Sequence, residues 1–216
     1  MSRTCVHEDV REAILDAVGR LLKRYGYGKM TVDDIAREAA VGKGTIYLYF
    51  PSKKEMALGW IDRAHDQLHN ELRKIAGSGE APPDKLCRIL KKRVTSRIDT
   101  ARNCVQSFDE LFAAVRPDML ARRDHNHKVE ALILAEVVKD GCDRGIFASD
   151  DHYETAYCLL LATNYLLPYS LKTNQLGGRK EIEEKLKKIS RLLLHGMIVR
   201  SDRNIAVTMI DSEDDL

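Results

Sequence analysis

The sequence predicts an all-α protein, in which a small N-terminal unit of three helices precedes a larger C-terminal helical bundle. Apolar residues recur at intervals of three and four along most of the 216 residues, which is the period of an amphipathic helix. Only five residues are proline, and the alternating pattern of strands is nearly absent. Hydrophobic residues make up 44% of the chain and charged residues 31%, a balance that supports a sizeable core and excludes a disordered chain.

The composition also indicates where the protein works. The five cysteines are odd in number, widely spaced and include no Cys-x-x-Cys pair, which argues against a disulfide framework and against a zinc ribbon. The longest apolar stretch, 156–171, is interrupted by polar residues and a proline and is shorter than the roughly 20 residues that cross a bilayer. Residues 1–10 lack the apolar run of a secretion signal. We therefore predict a cytoplasmic protein without a membrane partner.

Helices one and two are predicted from their apolar stripes and their end signals. A stripe of apolar residues over 10–22 predicts the first helix, which the glycines at Gly26 and Gly28 end. Thr31 then stands in an N-cap position before two aspartates, which suit the positive end of a helix dipole. The second helix is therefore predicted from Thr31 to about Ala40.

The third helix is short and lies between two breaks in the pattern. Gly-Lys-Gly at 42–44 interrupts the helical period, and residues 45–50 then predict a helix. The next segment predicts an unbroken fourth helix over 52–75, which begins with the spacing of a capping box at Ser52 and Glu55.

The rest of the chain predicts further helices after a linker. Glycine, serine and proline at 77–83 form the clearest linker of the sequence. We expect Pro117 to end one of the helices that follow, because proline breaks the hydrogen-bond ladder of a helix. The apolar stripes predict helices over 86–98, 108–115, 129–138, about 151–169 and 180–200.

The first three helices have the parts of a DNA-binding helix-turn-helix. Ala36 is small where helices two and three would cross, and Ile46 fills the same small core. Residues 41–54 include three lysines and no acidic residue, so this edge can approach phosphate without repulsion. Tyr47 and Tyr49 offer hydroxyl groups to phosphate oxygens or base edges. The pattern predicts binding in a major groove, although a solvated face on an ordinary helical hairpin would have a similar composition.

The segment 31–56, which reads TVDDIAREAAVGKGTIYLYFPSKKEM, resembles the N-terminal domain of the TetR family of transcriptional regulators. The resemblance covers about residues 10–60. It implies a homodimeric repressor that binds a palindromic operator through the helix-turn-helix. It also implies that a small molecule bound to the C-terminal domain releases the DNA.

Carried over residue by residue, the resemblance implies a set of DNA-contacting residues. The set comprises Thr31, Lys43, Gly44, Thr45, Tyr47, Tyr49 and Lys53. Thr31 would hold a phosphate, Lys43 would reach a phosphate or a guanine edge, and Lys53 would clamp a phosphate. The turn departs from the usual Gly-Val-Ser, because Ala40 replaces the glycine. Ala40 must either avoid a positive φ or bear a cost of about 1 kcal/mol.

The resemblance also implies the organisation of the chain. It divides the chain into a helix-turn-helix DNA-binding domain over 1–52 and a ligand-binding and dimerisation domain over 53–216, with a connecting helix over about 52–76. The last two helices carry continuous apolar stripes, which suit a homodimer joined as a four-helix bundle.

The ligand cavity is expected among the helices between about Lys85 and Tyr169, with an apolar or aromatic effector. The candidate lining residues combine apolar walls with a few polar groups, although an ordinary helical core has the same mixture. They are Phe108, Phe112, Met119, Tyr157, Asn164 and Tyr165.

Two alternatives come from other classes of protein. His65 and His69 lie one turn apart and could chelate a metal. A helical metal-binding sensor or enzyme that uses them is therefore one alternative. The expected role of both residues is instead a place on the surface or at a hinge edge. Residues 124–130 are also rich in metal-ligand types, but we interpret them as a solvated loop or helix start. A DNA-free helical adaptor is the second alternative.

The sequence contains no catalytic constellation and indicates no cofactor or metal, so we predict a protein that is not an enzyme. Cysteines 104, 142 and 158 would form a redox switch only if two of them met in space.

Overall fold

The computed structural model describes residues 3–103, 108–167 and 178–198, and these ranges form eight α-helices. The all-α prediction is confirmed, with a single antiparallel bridge between Phe147 and Ile198 in the described part of the chain. No helix within these ranges has both the length and the apolar character needed to cross a membrane. The helices are α1 (Arg3–Lys29), α2 (Val32–Glu38), α3 (Lys43–Tyr49), α4 (Lys53–Ala76), α5 (Pro82–Asn103), α6 (Phe108–Asp143), α7 (His152–Asn164) and α8 (Arg179–Met197).

A first hydrophobic core lies among α1, α2, α3 and the start of α4. Ile35, Ala36 and Ile46 are buried in it, so the predicted meeting of α2 and α3 is confirmed. Helices α1 and α4 pack closely because Gly19 has no side chain, and a Cβ there would lie 2.7 Å from Trp60 Nε1. The core residues are Ile14, Leu15, Ala17, Val18, Leu21, Leu22, Met30, Ile35, Ala36, Ile46, Phe50, Met56, Ala57, Leu58, Leu111 and Val115.

A second core lies among the C-terminal half of α4 and helices α5 to α8. Helix α4 is shared by the two cores, because Met56 and Leu58 pack in the first and Leu68 and Leu72 pack in the second. A displacement of this helix would therefore disturb both cores.

Helix α6 corrects two expectations. Pro117 does not end a helix, because α6 continues without a break from Phe108 to Asp143. Proline removes the hydrogen bond to the carbonyl four residues earlier, but Pro117 and Ala113 are both exposed, so water can satisfy that carbonyl. The interpretation of 124–130 as a solvated loop or helix start is also wrong. These residues lie inside α6, and His127 and Glu130 are buried.

The helix ends follow the expected capping chemistry, with small shifts in position. Ser52 accepts a hydrogen bond from the Glu55 amide, and the Asp151 side chain accepts hydrogen bonds from two amides at the start of α7. Helix α3 begins at Lys43 rather than at Thr45, because Gly42 takes the N-cap position. Helix α7 ends at Asn164 rather than continuing to Tyr169, and residues 168 and 169 lie outside the described residues.

Candidate nucleic-acid interface and internal cavity

The turn between α2 and α3 has a left-handed residue that is not glycine. Ala40 has a φ of 54°, so it bears the conformational cost that the sequence indicated. The Ala40 amide donates to the Arg37 carbonyl at 3.2 Å, and the Val41 amide donates to the Ala36 carbonyl at 3.0 Å. This pair of hydrogen bonds reverses the chain at the end of α2 and sets the direction of α3.

Helix α3 presents one of its faces to solvent. Ile46 is buried beneath it, whereas Tyr47 is 48% exposed and the neighbouring Leu48 is 83% exposed. Lys43 opens the helix, and a Cβ at Gly44 would have no neighbour within 4 Å among the protein's own atoms. Packing within the chain therefore does not require glycine at this position. The open side of α3 leaves room for another molecule to approach its backbone.

Two predicted contact residues are held at the edge of this face by aspartates. Thr31 Oγ1 accepts from the Asp34 amide at 3.2 Å and the Thr31 amide donates to Asp34 Oδ2 at 3.2 Å, which together form a capping box for α2. Thr31 Oγ1 also donates to Asp34 Oδ2 at 2.6 Å, and the hydroxyl and amide of Thr31 lower the pKa of the Asp34 carboxyl. Lys43 Nζ lies 2.9 Å from Asp33 Oδ1 in an exposed ion pair. An exposed pair is worth at most about 1 kcal/mol, so Lys43 can exchange this partner for a phosphate.

Tyr49 and Lys53 have partners inside the protein. Tyr49 Oη lies 2.6 Å from His7 Nδ1, which ties the start of α1 to the end of α3. Lys53 Nζ donates to the carbonyl oxygens of Tyr27 and Met30 at 3.0 and 3.1 Å and lies 4.5 Å from the Tyr27 ring centroid. The ammonium group of Lys53 thus caps the end of α1, a structural role that the sequence pattern did not indicate. His7 was likewise missed, because its partner is distant in the chain.

A cavity of about 70 Å³ lies between α4, α5 and α6, and we call it the apolar cavity. This volume is several times the space that one water molecule needs, so it suits a slim ligand. Two of the expected lining residues, Phe112 and Met119, do line it. The lining residues are Trp60, Ile61, Ala64, His65, Leu68, Ser96, Arg97, Thr100, Ala101, Leu111, Phe112, Val115 and Met119.

The other expected lining residues do not lie at this cavity. Tyr157 packs against the second core, with its ring centroid 6.3 Å from that of Tyr153. Tyr165 is 71% exposed, and Asn164 hydrogen-bonds to a buried arginine instead. The side chain of Phe108 lies outside the described residues. Helix α7 therefore contributes to the core and to a buried polar cluster, while the cavity belongs to α4, α5 and α6.

The buried polar cluster is centred on Arg93, which the sequence analysis missed. Its Nε donates to Glu130 Oε2 at 2.6 Å, and both side chains are fully buried. Its two Nη atoms donate to Thr163 Oγ1 at 3.1 Å, to Asn164 Oδ1 at 2.5 Å and to the Leu160 carbonyl at 3.4 Å. Arg93 thus joins α5 to α6 and α7 with charge-assisted hydrogen bonds.

Arg97 lies one turn further along α5 and shares the same carboxylate. Its Nη2 donates to Glu130 Oε1 and its Nη1 donates to the Arg93 carbonyl at 3.2 Å. Burial is the largest single influence on Glu130 and would raise its pKa, but Arg97, His69 and Arg93 together hold it well below the usual value. One sequence signal existed for these arginines. They occupy the stripe positions of α5 between Leu90 and Ala101, where apolar residues are expected.

The surface position expected for the two histidines of α4, with a hinge edge as the alternative, is wrong for His69, whereas His65 is half-buried. His69 is buried, with its Nε2 3.6 Å from Glu130 Oε1, and His65 lines the apolar cavity. Burial, and secondarily Arg97, lowers the pKa of His65 to about 3, so its ring is neutral near pH 7. Within the described residues, no group of three or more histidine, cysteine or acidic side chains is arranged to hold a metal. Of the cysteines considered for a redox switch, Cys104 lies outside the described residues.

The start of α6 connects the cavity to the first core. Leu111 and Val115 line the apolar cavity and also pack in the core beneath the helix-turn-helix. Lys54 of α4 forms an ion pair of 2.7 Å with Asp118 of α6, and Glu110 Oε2 accepts a hydrogen bond from the Gly28 amide at 3.2 Å. A displacement of the cavity walls would therefore also displace residues that pack beneath the helix-turn-helix.

Comparisons with known proteins agree with this arrangement. Residues 14–59 match the family model described as "Bacterial regulatory proteins, tetR family", and residues 82–190 match the "Tetracyclin repressor-like, C-terminal domain". The Bacillus subtilis HTH-type transcriptional regulator YhgD is 27% identical over 163 residues, which is 70% of this chain and 79% of that protein. Matches to three other curated regulators span only 26%, 28% and 37% of those proteins.

Solved structures share the fold at low sequence identity. A transcriptional regulator from Cytophaga hutchinsonii superposes with a TM-score of 0.74 at 22% identity, over 87% of this chain and 98% of that one. The SmeT-Triclosan complex superposes with a TM-score of 0.59 at 16% identity, over 89% and 93% of the two chains. These likenesses show that the helical arrangement described above is shared by both proteins.

Proposed function

Since this chain belongs to the TetR family of bacterial regulatory proteins, we propose that it is a DNA-binding transcriptional regulator whose affinity for its operator is lowered by a small-molecule effector. The observation that carries the proposal is the exposed face of α3, with Tyr47 and Leu48 directed outward and Lys43 at the helix start. The rest of the helix is anchored by Ile46 in a well-packed core. A rigid helix with one free face fits the major groove of DNA.

Each residue of the proposed interface has a distinct role. Tyr47 and Thr45 contact the DNA from α3, and Gly44 allows the helix backbone to approach it closely. Lys43 leaves Asp33 for a phosphate, and the Thr31 hydroxyl leaves Asp34 to donate to the adjacent backbone phosphate. Tyr49 and Lys53 act mainly by fixing α3 and α4 through their internal partners, although both lie close to the same surface.

A homodimer is required by this function, because one helix-turn-helix reads too little DNA for high specificity. Two recognition helices about 34–36 Å apart would enter successive major grooves of a palindromic operator. Helices α7 and α8 support such a dimer with large apolar side chains exposed to solvent. Leu161 lies on α7 and Tyr165 at its C-cap, and Leu192 of α8 is 75% exposed. Burial of these residues against a second copy would remove them from water.

The effector acts through the helices that surround the apolar cavity. SmeT, a structural neighbour, has been solved as a complex with triclosan, which supports a small-molecule site in this fold. Here Ile61 and Ala64 of α4 and Val115 of α6 form cavity walls, and the same two helices reach the first core. A ligand that spreads these walls would shift α4 and α6, and with them the separation of the two recognition helices. Structures with and without effector that have the same position of α4 would contradict this mechanism.

The first experiment is selection of operator sequences from a random DNA pool by the purified protein, followed by a salt titration of the affinity. We expect enrichment of a palindrome, and we expect Tyr47→Ala and Lys43→Ala to weaken binding. Lys43→Ala should also reduce the dependence of log affinity on log salt by about one contact. Lys139→Ala is the matched control, because Lys139 is likewise an exposed lysine in an ion pair and lies near the end of α6, outside α3 and the proposed dimer helices.

The outcome at low salt decides between the two classes of protein. A palindrome whose binding is weakened by both α3 variants and unaffected by Lys139→Ala would support the regulator. Absence of enrichment at low salt, by a protein whose circular dichroism indicates a folded helical chain, would contradict it and favour the DNA-free adaptor.

A further inference from the structure

A second cavity meets the apolar cavity at Arg97. It has a volume of about 40 Å³ and shares the wall residues His65, Arg97, Phe112 and Met119 with the first. Its remaining walls are Leu120, Arg123, Asn126 and His127 of α6, three of which have polar side chains. We call it the polar cavity after these residues. The two cavities adjoin at the four shared residues, which we call the partition.

The partition carries buried positive charge. Arg97 is buried and shares the Glu130 carboxylate with Arg93. Arg123 adds an exposed guanidinium at the wall of the polar cavity, and its paired carboxylate on Asp124 lies 3.7 Å away in solvent. An anion that binds beside a buried guanidinium gains charge-assisted hydrogen bonds.

Two buried nitrogen atoms at the polar cavity are left without partners. Among the described residues, neither Arg97 Nε nor His127 Nε2 has a hydrogen-bond partner. The Arg97 side chain is only 9% exposed, and His127 is also buried. Since a buried donor without an acceptor is rare, these two nitrogens call for an acceptor at the wall of the polar cavity. One carboxylate supplies acceptor oxygens both for the Arg97 guanidinium and for the His127 tautomer that carries its proton on Nε2.

The apolar cavity on the other side of the partition provides the complementary surface. Trp60 and Leu68 of α4 and Leu111 and Val115 of α6 contribute apolar walls. A slim alkyl or aryl group fits such a space, whereas a second charged group would lose its hydration without a partner.

We propose that the effector is an amphipathic monocarboxylate. Its carboxylate binds in the polar cavity between Arg97 and His127, and its apolar tail passes Phe112 and Met119 into the apolar cavity. An alcohol with the same tail lacks the charge that balances Arg97, and an amine is repelled by it. The role as effector rests on the proposed regulatory function, but the binding step is independent of DNA.

Trp60 allows the binding step to be measured directly, because it is the single tryptophan of the chain and lines the apolar cavity. Its fluorescence is followed during titration with octanoate and with phenylbutanoate, each beside the alcohol and the amine of the same carbon skeleton. We expect at least one carboxylate to bind about tenfold or more tightly than its alcohol and its amine.

Variants of Arg97 test the assigned partner. Arg97→Gln should abolish the preference for the carboxylate over the alcohol, and Arg97→Lys should retain part of it. Arg88→Gln on the same helix is the matched control, because Arg88 pairs with Glu80 and lines neither cavity. Circular dichroism of each variant checks the helical fold, and the alcohol titration checks that the apolar cavity is intact.

The result that overturns the proposal is equal affinity for carboxylates and alcohols, a preference for amines, or a carboxylate preference that Arg97→Gln leaves unchanged. Failure of both carboxylates to bind would overturn it as well. Operator affinity is measured in parallel by fluorescence anisotropy. Carboxylate binding without any change in operator affinity would support the site but contradict the proposed release mechanism, so the two failures are distinguishable.

Discussion

Arg93 Nε and Glu130 Oε2 lie 2.6 Å apart in a site where neither side chain is exposed to solvent. The pair connects α5 to α6 at the centre of the second core. Because Arg97 also donates to Glu130, one carboxylate balances two guanidinium groups. The stability of the C-terminal bundle therefore depends on Glu130 more than on either arginine alone.

We predict that Glu130→Gln lowers the free energy of unfolding by about 3–5 kcal/mol, because it removes the carboxylate charge that two buried arginines share. Arg97→Gln should cost less, since the Arg93–Glu130 pair remains. Urea denaturation with a circular dichroism readout measures both. Glu80→Gln, which removes the exposed partner of Arg88, is the control and should cost under about 1 kcal/mol. Equal losses for Glu130→Gln and Glu80→Gln would contradict the assigned role.

The free energy of unfolding should fall as the pH decreases from 7 to 5. Burial lowers the pKa of His65 to about 3 and that of His127 to about 4, against an ordinary value of 6.5. In this range the unfolded chain takes up protons on these histidines while the folded chain does not, so acid favours the unfolded state. His65 alone should contribute a loss of about 2 kcal/mol by pH 5. At lower pH, protonation of Glu130 acts in the same direction.

Urea denaturation at a series of pH values at constant protein concentration measures this dependence. His65→Gln should flatten it, whereas His125→Gln should leave it unchanged, because His125 is exposed on α6. A His65→Gln variant with the same pH dependence as the original protein would show that His65 titrates normally in the folded state.

Ala40→Gly should stabilise the protein by about 0.5–1 kcal/mol. The φ of 54° at this position strains an alanine, and glycine adopts it without a steric cost. The gain is reduced, although not cancelled, by the greater backbone freedom of glycine in the unfolded chain. Ala39→Gly is the control, because Ala39 has a right-handed conformation with φ of −86° and should lose stability. Thermal or urea unfolding distinguishes the two signs.

Lys53 and Lys43 should differ in the property that they control. Lys53→Met removes two hydrogen bonds to carbonyl oxygens at the end of α1 and should reduce the free energy of unfolding by about 1–2 kcal/mol. Lys43→Ala removes only an exposed ion pair and should have little effect on stability. A salt titration of operator affinity should show the opposite order. If Lys53→Met reduced the salt dependence as much as Lys43→Ala, Lys53 would be a phosphate contact after all.

The sequence alone determined the helical fold and the helix-turn-helix unit. These features depend on local periodicity and on capping residues such as Thr31 and Ser52, which interact with amides a few positions away. The sequence also indicated the strained turn, because Ala40 replaces a glycine at a position that demands a left-handed backbone.

Only the tertiary structure decided the position of the cavity and the partners of its charged residues. Arg93 meets Glu130 and Asn164 at separations of 37 and 71 residues along the chain, and no local pattern encodes such contacts. Pro117 gave a misleading local signal, because the exposure of its side of α6 and the packing of Val115 against the first core allow the helix to continue. Local sequence patterns specify which elements form, whereas burial and charge balance between distant elements specify what those elements bind.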